Sequence, residues 1–194
     1  LVFDNTCDEW SLCYSNSGIE RAVKDAGGKT PPRTTQAHYQ KVSVKKGKRL
    51  TSAKVHEIIL SSDVFINVPI LKNHSSAKLT MAMKNHMGIV WDRGFWHRND
   101  LHQCIADFST YRLPDLNILD AYNVMMQHGP RGVGKEDIVK MESLLISTDI
   151  VAIDAAGAKL FGLNPSDVPY IKIANDMGIG TMNLDKLNIN RLKV

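Results

Sequence analysis

The chain has 194 residues, of which 43% are hydrophobic and 23% are charged, and its formal net charge at pH 7 is +4. These values favour a single globular domain over residues 1–194 and argue against a disordered, collagen-like or coiled-coil protein. The longest near-apolar run, residues 64–71, is too short to cross a bilayer. The mildly basic net charge permits an anionic ligand but does not require a nucleic-acid partner. We therefore expect no transmembrane segment and no nucleic-acid partner.

Hydrophobic periodicity and turn residues predict strands that alternate with helices. In the first half of the chain, the predicted elements are strands at residues 1–3, 39–44, 49–55 and 64–68 and helices at 19–26 and 77–87. Strands 39–44 and 49–55 are expected to form a hairpin, and the mostly apolar strand 64–68 is expected to be a buried central strand. In the second half, they are helices at 100–111, 149–161 and 169–177 and strands at 116–119, 143–147 and 187–192, and Asp149 is the expected N-terminal cap of the helix that it begins. Residues 89–99 show no clear period and predict a surface or site-lining loop. The alternation predicts an α/β fold with a mixed, mainly parallel sheet flanked by helices.

Polar residues follow the predicted strands, at the edge of the sheet where α/β proteins bind ligands. Lys72 and His74 come after the strand that ends at Pro69, and Asp120 comes after the next predicted strand. A lysine, a histidine and a carboxylate on one edge would form a polar site. Aspartate is also a common turn residue, which is the interpretation that we favour for Asp4.

Histidine is the second chemical signal, because four of the seven histidines lie between positions 74 and 102. Imidazole is a common metal ligand, so His74 and His102 are candidate ligands for a divalent metal. Their spacing matches no local zinc motif, and packing or surface roles remain the alternative. The three cysteines are too widely spaced for a cluster motif, so we expect no iron–sulfur cluster in this chain.

Two further motifs carry basic residues. Lys84 precedes Asn85 near the end of the predicted helix 77–87, where it would bind a carboxylate or phosphate or complement the helix dipole. The glycine-rich segment 129–134 contains Arg131 but lacks the residues of a phosphate-binding P-loop. It predicts a flexible turn.

Several of these motifs resemble the family named domain of unknown function 362. The hallmark segments are Ile-Asn-Val-Pro-Ile-Leu-Lys-Asn-His at 66–74 and Lys-Asn-His-Met-Gly at 84–88. Similar blocks extend over nearly the whole chain. The resemblance implies a bacterial or archaeal protein of a family that is often iron–sulfur-associated. It also raises the weight of six candidate site residues, Lys72, His74, Lys84, Asn85, His102 and Asp120.

The resemblance has consequences for the N-terminus and for the compartment. The family's usual start, with its Lys-Pro-Asn motif, would precede Leu1, so we expect a family domain that is truncated at its N-terminus. Many members carry twin-arginine export signals, which would also precede Leu1. The expected location is therefore either cytoplasmic or exported through a signal that this chain does not include.

Two functions from different classes follow. The first is a redox-linked enzyme domain, an oxidoreductase, in which Lys72 and Lys84 bind a small anionic ligand. In this function His74 or His102 acts as an acid–base group or metal ligand, and Asp120 orients it. The second is a non-catalytic accessory or electron-transfer domain. It would dock on a ferredoxin-like domain or protein through aromatic and arginine side chains between residues 91 and 98.

Overall fold

The protein was analysed as a computed structural model, which describes residues 1–32 and 34–193. Within these residues the helices are α1 (Trp10–Asn16), α2 (Ile19–Asp25), α3 (Glu57–Ser61), α4 (Ala82–Asn85), α5 (Arg93–Arg98), α6 (Leu101–Phe108), α7 (Ile150–Phe161) and α8 (Pro169–Asp176). The strands are β1 (Tyr39–Ser43), β2 (Ser52–His56), β3 (Ile66–Asn67), β4 (Ile70–His74), β5 (Lys78–Thr80), β6 (Leu116–Met125) and β7 (Ile138–Ser147).

The main sheet is mixed. Strands β3 and β4 both run parallel to β6, whereas β5 is antiparallel to β4 and β7 is antiparallel to β6. Helices α4, α6, α7 and α8 pack against one another, and α7 also packs on β6 and β7. This arrangement confirms the predicted α/β fold with a mixed sheet and flanking helices. A separate antiparallel hairpin of β1 and β2 confirms the predicted hairpin.

The central strand differs from the predicted strand 64–68. Pairing stops after β3 and resumes in β4, on the far side of Pro69, which has no backbone N–H to donate. The carbonyl of Pro69 still accepts from the Asp120 N–H at 2.9 Å, so the chain direction continues. Lys72 and His74 consequently lie inside a strand, and the prediction that they follow its end is wrong.

One face of the sheet is open to solvent. Side chains alternate along β3 and β4, so that Asn67 and Leu71 are buried while Ile66 is 51% exposed and Ile70 is 48% exposed. On β7, Leu144 is 62% exposed. The sequence predicted a strand that is buried on both sides, because apolar residues occupy both faces and conceal the alternation.

Other predicted elements have different boundaries. The predicted helix 77–87 is strand β5 followed by the four-residue helix α4, and the predicted loop 89–99 contains helix α5. The predicted strand 116–119 continues to residue 125, so Asp120 lies in the middle of β6. Residues 1–3 and 187–192 are not in strands.

Close packing of α7 on the sheet positions α4. A Cβ atom on Gly157 would lie 2.7 Å from the Leu119 Cδ2 and 2.8 Å from the Met81 Sδ, so helix α7 approaches the sheet this closely only because residue 157 has no side chain.

Helix α7 begins at the Asp149 carboxylate, which accepts from two backbone N–H groups and caps the helix as predicted. In the part of the chain that is described, no helix is long and apolar enough to cross a membrane.

Candidate anion-binding cleft

His74 is the last residue of β4 and belongs to a cluster of polar side chains, which we call the cleft, that also contains Lys72, Lys84, Asn85, Arg93 and Asp4. It is buried, and its Nδ1 accepts from the backbone N–H groups of Ser76 and Ala77, both at 3.2 Å. Because Nδ1 accepts, the ring proton resides on Nε2. Burial, with the nearby charge of Lys84, lowers the pKa of His74 to about 4. At neutral pH this residue is therefore a neutral hydrogen-bond donor.

Helix α4 brings Lys84 and Asn85 to the same cleft. The helix has only four residues, and the buried Asp154 of α7 caps it by accepting from the Ala82 N–H at 2.7 Å and the Met83 N–H at 3.0 Å. Burial of this carboxylate raises its pKa to about 7. A buried carboxylate on a neighbouring helix thus sets where Lys84 and Asn85 lie.

Lys84 is a half-buried amine in a cationic environment. Burial, followed by the charge of Lys72, lowers the pKa of Lys84 to about 8, and Arg93 acts in the same direction. The nearby thiol of Cys7 acts in the opposite direction. Among the described residues, neither Lys72 nor Lys84 forms an ion pair. Two lysines are therefore held near each other with neither at ion-pair distance from a carboxylate, although the charge of Lys72 acts on Asp4.

Asn85 is oriented by a row of amides that crosses the sheet. Its Nδ2 donates to the Asn67 Oδ1 at 2.8 Å, and the Asn67 Nδ2 donates to the Asn117 Oδ1 at 2.9 Å. Asn67 and Asn117 are both buried. Since buried amides need partners, this row fixes the amide of Asn85 at the cleft.

Arg93 connects the N-terminal segment to the cleft. Its guanidinium donates to the Asn5 carbonyl at 2.6 Å and to the Thr6 carbonyl at 2.8 Å, and it lies 3.4 Å from the Cys7 Sγ. The Asn5 N–H in turn donates to the Gly88 carbonyl at 2.7 Å. These bonds close one side of the cleft with residues that are distant in sequence.

Asp4 is the acidic group of the cleft. A Cβ atom on Gly88 would lie 2.1 Å from the Asp4 Oδ1, so the carboxylate occupies the space that any other residue at position 88 would fill. Asp4 keeps contact with solvent, but loss of hydration beside Gly88 raises its pKa. The nearby charges of Arg93 and Lys72 oppose that shift. The interpretation of Asp4 as a simple turn residue is therefore incomplete.

Two other histidines lie near His74. The rings of His74 and His97 stack with their centroids 6.3 Å apart, and the charge of His102 also contributes to the lowered pKa of His74. Burial lowers the pKa of His97 and of His102. No group of three or more potential metal ligands is present among the described residues. Nδ1 of His74 is occupied by backbone donors, and the charges that act on this ring include those of Lys84 and Lys72.

Asp120 does not join this group in the described structure. Its Oδ1 accepts from the Tyr122 N–H at 2.9 Å, and it is paired in the sheet with Ile70 and Leu144, on the open apolar face. The electrostatic partners that shift the pKa of His74 and Lys84 do not include Asp120. The predicted role of Asp120 in orienting a histidine rested on a strand end at residue 119 that the structure does not have.

The glycine-rich segment 129–134 is anchored at the cleft. The Gly129 N–H donates to the Asn73 Oδ1 at 2.9 Å, and a Cβ atom at position 129 would lie 1.8 Å from the Asn73 carbonyl oxygen. Arg131 forms an ion pair with Asp8 at 3.1 Å, which joins this segment to the N-terminal residues. Gly129 therefore permits segment 129–134 to approach β4 closely, and the predicted flexible turn is held in place at its Gly129 end.

The cleft therefore combines two lysines that form no ion pair among the described residues, an arginine and a neutral histidine donor with one carboxylate, Asp4, on which Lys72 acts. Such a set attracts an anion and repels a cation. The sequence motifs identified Lys72, His74, Lys84 and Asn85, which the structure brings together. Arg93 and His97 were missed as site residues because they lie in a segment without periodicity. The density of charged and aromatic residues there was the signal that could have found them.

Comparison with known sequences places the chain in a family. The family described as domain of unknown function (DUF362) matches residues 1–159, and the chain belongs to it. Its similarity extends to the thylakoid-associated protein sll1697 of Synechocystis sp. (strain ATCC 27184 / PCC 6803 / Kazusa), which is 28% identical over 128 residues. That match covers 62% of this chain and 39% of the relative. No solved structure matches the chain significantly.

Proposed function

We propose that the cleft binds a small anionic molecule through a carboxylate or phosphate group, as the ligand site of an enzyme domain. The observation that supports this function is the convergence of Lys72 and Lys84 beside Arg93 without an ion pair to either lysine. Like charges held together destabilise a fold, and a bound anion removes that cost. Perturbed pKa values of this kind cluster at functional sites.

The neutral donors of the cleft complement the lysines. His74 presents its Nε2–H, because Nδ1 is occupied by backbone donors, and its lowered pKa keeps the ring neutral. Asn85 is oriented by Asn67. Lysines would supply the charge, and these two side chains would supply directional hydrogen bonds. This division of roles is typical of sites for small polar ligands.

The ligand proposed here is an anion rather than a metal ion. His74 and His102 were candidate metal ligands from the sequence, but the nearest charges to His74 come from Lys84 and Lys72. Those ammonium groups would repel a divalent cation. The same groups favour a carboxylate or a phosphate.

Docking on a ferredoxin-like partner has less support. That function relied on exposed aromatic side chains, but Trp96 is only 1% exposed and packs against the Phe108 ring at 5.3 Å. Arg93 is turned toward the N-terminal residues. Trp96 and Arg93 of that segment are therefore part of the fold, whereas Trp91 is 37% exposed.

The proposal is tested by calorimetric titration of the protein with inorganic phosphate and with oxalate. We expect Lys72→Ala to weaken binding of the better ligand about tenfold or more, since a charge-assisted contact is lost. Lys159→Ala, at an exposed position of α7, is the matched control and should bind as the wild type does. Circular dichroism checks that each variant is folded. Absence of binding by the wild type, or equal binding by folded Lys72→Ala, would overturn the proposal.

A further inference from the structure

Strand β7 lies at an edge of the main sheet. Within residues 1–32 and 34–193 it pairs only with β6, so its other side faces no strand. A free strand edge presents backbone N–H and C=O groups in a row and is a template for pairing with another strand. Bulges and charged side chains are the usual features that prevent such pairing.

Only the first half of β7 has these protective features. The register between β6 and β7 shifts between Ala121 and Asn123, and Glu142, which lies at that shift, has a φ of 47°. Lys140 forms an ion pair with Glu142 at 2.7 Å. A bulge and two charged side chains therefore interrupt the edge up to residue 142. Residues 143–147 pair regularly with β6 and carry no charge.

The backbone polar groups of Leu144 and Ile146 point toward the free side of β7. The Asp120 N–H donates to the Pro69 carbonyl at 2.9 Å, so the backbone groups of Asp120 point away from β7. Asp120 lies opposite Leu144, and the two residues therefore form a pair without hydrogen bonds between them. The N–H and C=O of Leu144 consequently point outward. Ile146 follows two positions later and has the same orientation.

The sequence of this free segment is nearly palindromic, since residues 143–147 are Ser-Leu-Leu-Ile-Ser. We propose that this segment pairs antiparallel with the same segment of a second copy of the chain, about a two-fold axis through Leu145. In that register Leu144 faces Ile146 of the second copy, and the serines at the two ends face each other. Because Leu144 and Ile146 direct their backbone groups outward, each such pair forms two hydrogen bonds between the copies.

The side chains of the segment are complementary in the same register. Leu144 is 62% exposed and Ile146 is 61% exposed, and both lie on the open face of the sheet. Pairing places each of them beside the other residue of the second copy and removes apolar surface from water. Leu145 lies on the opposite face and meets its own copy at the axis. Side chains of such a pair without hydrogen bonds approach closely.

Other registers of the two copies are less favourable. An axis through Leu144 places Glu142 opposite Ile146 of the second copy, which sets a charge against an apolar side chain. An axis through Ile146 leaves only residues 145–147 paired within β7. An axis between two residues sets outward-pointing backbone groups opposite groups that point toward β6. The axis through Leu145 is therefore the register that the strand favours.

The length of the paired segment sets the expected affinity. Residues 143–147 of each copy cover on the order of 400 Å² of its surface, about half of the roughly 800 Å² that each partner contributes to a standard interface. We therefore expect a reversible dimer with a dissociation constant of about 10–100 µM. Pairing uses the free edge of β7 in both copies, so association through this edge stops at the dimer.

The experiment is analytical ultracentrifugation of the purified chain at concentrations of about 1–300 µM. We expect monomer at the lowest concentration and mostly dimer at the highest. Leu144→Pro removes one outward N–H from each copy but no bond to β6, and proline is tolerated at the free side of an edge strand. It should weaken dimerisation about tenfold or more. Leu144→Lys is a second variant and should weaken dimerisation through its charge.

Ile66→Lys is the matched control, because Ile66 is 51% exposed on the same open face but lies on β3, away from the free edge. It should dimerise as the wild type does, and circular dichroism checks the fold of each variant. Leu145→Cys tests the register, since mild oxidation should link two copies at the axis. Leu113→Cys, at an exposed position outside the strands, should not form this link. Peptide mapping distinguishes the bond at position 145 from any bond of the exposed Cys7.

Three results would overturn the inference. The first is a wild-type chain that stays monomeric up to about 300 µM. The second is a dimer that persists unchanged in folded Leu144→Pro, because its copies would not be joined through the free edge. The third is loss of the dimer in folded Ile66→Lys, which would assign association to the open face of the sheet.

Discussion

At the scale of single residues, several buried polar side-chain atoms have no hydrogen-bond partner among the described residues. His86 is the clearest example, because both of its ring nitrogens are buried and have no hydrogen-bond partner within residues 1–32 and 34–193, and its ring lies near those of Phe65 and Phe108. Burial lowers the pKa of His86 to about 4. Although His86 belongs to the same sequence motif as Lys84, its surroundings are apolar. His86 and Lys84 are thus two positions apart in the sequence, but His86 lies in apolar surroundings and Lys84 lies in cationic ones.

Replacement of this histidine tests that description. We expect His86→Leu to raise the free energy of unfolding at pH 7 by about 1–3 kcal/mol, since an apolar side chain of similar size removes two unpaired polar atoms. The measurement is urea unfolding followed by circular dichroism. His38→Leu, at a partly exposed position in the 3-10 turn that precedes β1, is the control and should change stability less. A destabilised His86→Leu protein would show that the ring nitrogens have a function in the core.

At the scale of secondary-structure elements, short segments depend on caps and anchors supplied by distant parts of the chain. Helix α4 has four residues, which is too few for a helix to be stable by itself. Asp154 of α7 caps it, and Arg93 of α5 holds the N-terminal residues beside it. The geometry of the cleft therefore depends on contacts between elements rather than on α4 alone.

Removal of the Asp154 carboxylate that caps α4 should lower the stability of the fold. Asp154→Ala leaves two buried backbone N–H groups unpaired, and we expect it to lower the free energy of unfolding by about 2–5 kcal/mol. Asp63→Ala, at an exposed position, should have little effect. Chemical denaturation measures both variants. Equal stability of the two would mean that α4 does not need this carboxylate.

Removal of the anchor should release the N-terminal residues. We expect Arg93→Ala to increase the hydrogen-exchange rate of the Asn5 amide, which donates to the Gly88 carbonyl only while the segment is docked. Arg98→Ala on the same helix is the matched control, because its exposed side chain makes only a 4.0 Å contact with Asp92. Hydrogen exchange with mass spectrometry distinguishes the two variants. Unchanged protection in Arg93→Ala would assign docking of this segment to other contacts.

At the scale of the whole molecule, the change in stability at low pH depends on the balance between histidines with lowered pKa values and aspartates with raised pKa values. Histidine pKa values are lowered by burial at five positions, His56, His74, His86, His97 and His102. The unfolded chain binds more protons at such groups below about pH 6.5, so they destabilise the fold as the pH falls. Asp154, with a raised pKa of about 7, acts in the opposite direction between about pH 7 and pH 4, and the raised pKa of Asp4 acts in the same sense as that of Asp154.

We expect the histidines to dominate, so that the protein is less stable at pH 5 than at pH 7. His86 alone should contribute about 2 kcal/mol to that loss, because its pKa is about 4 when folded and about 6.5 when unfolded. The difference in stability between His86→Leu and the wild type should therefore be larger at pH 5. Urea unfolding at both pH values measures it. A wild type that is more stable at pH 5 would show that the buried carboxylates dominate.

The sequence by itself determined the α/β class, the β1–β2 hairpin, the Asp149 cap of α7 and the family to which the chain belongs. These features depend on local periodicity, turn residues and ordered motifs, all of which a linear pattern records. It also gave Lys72, His74, Lys84 and Asn85 as candidate site residues, with the family resemblance adding weight to each, and that assignment stays a prediction.

Only the tertiary structure decided which other residues share that cleft. Arg93 and Asp4 reach it through bonds that span more than 80 positions between the N-terminal residues and α5. Asp120 stays outside because β6 continues beyond residue 119 onto the open face of the sheet. Strand ends and contacts between distant segments depend on the pairing partner, which the residues of one segment do not encode.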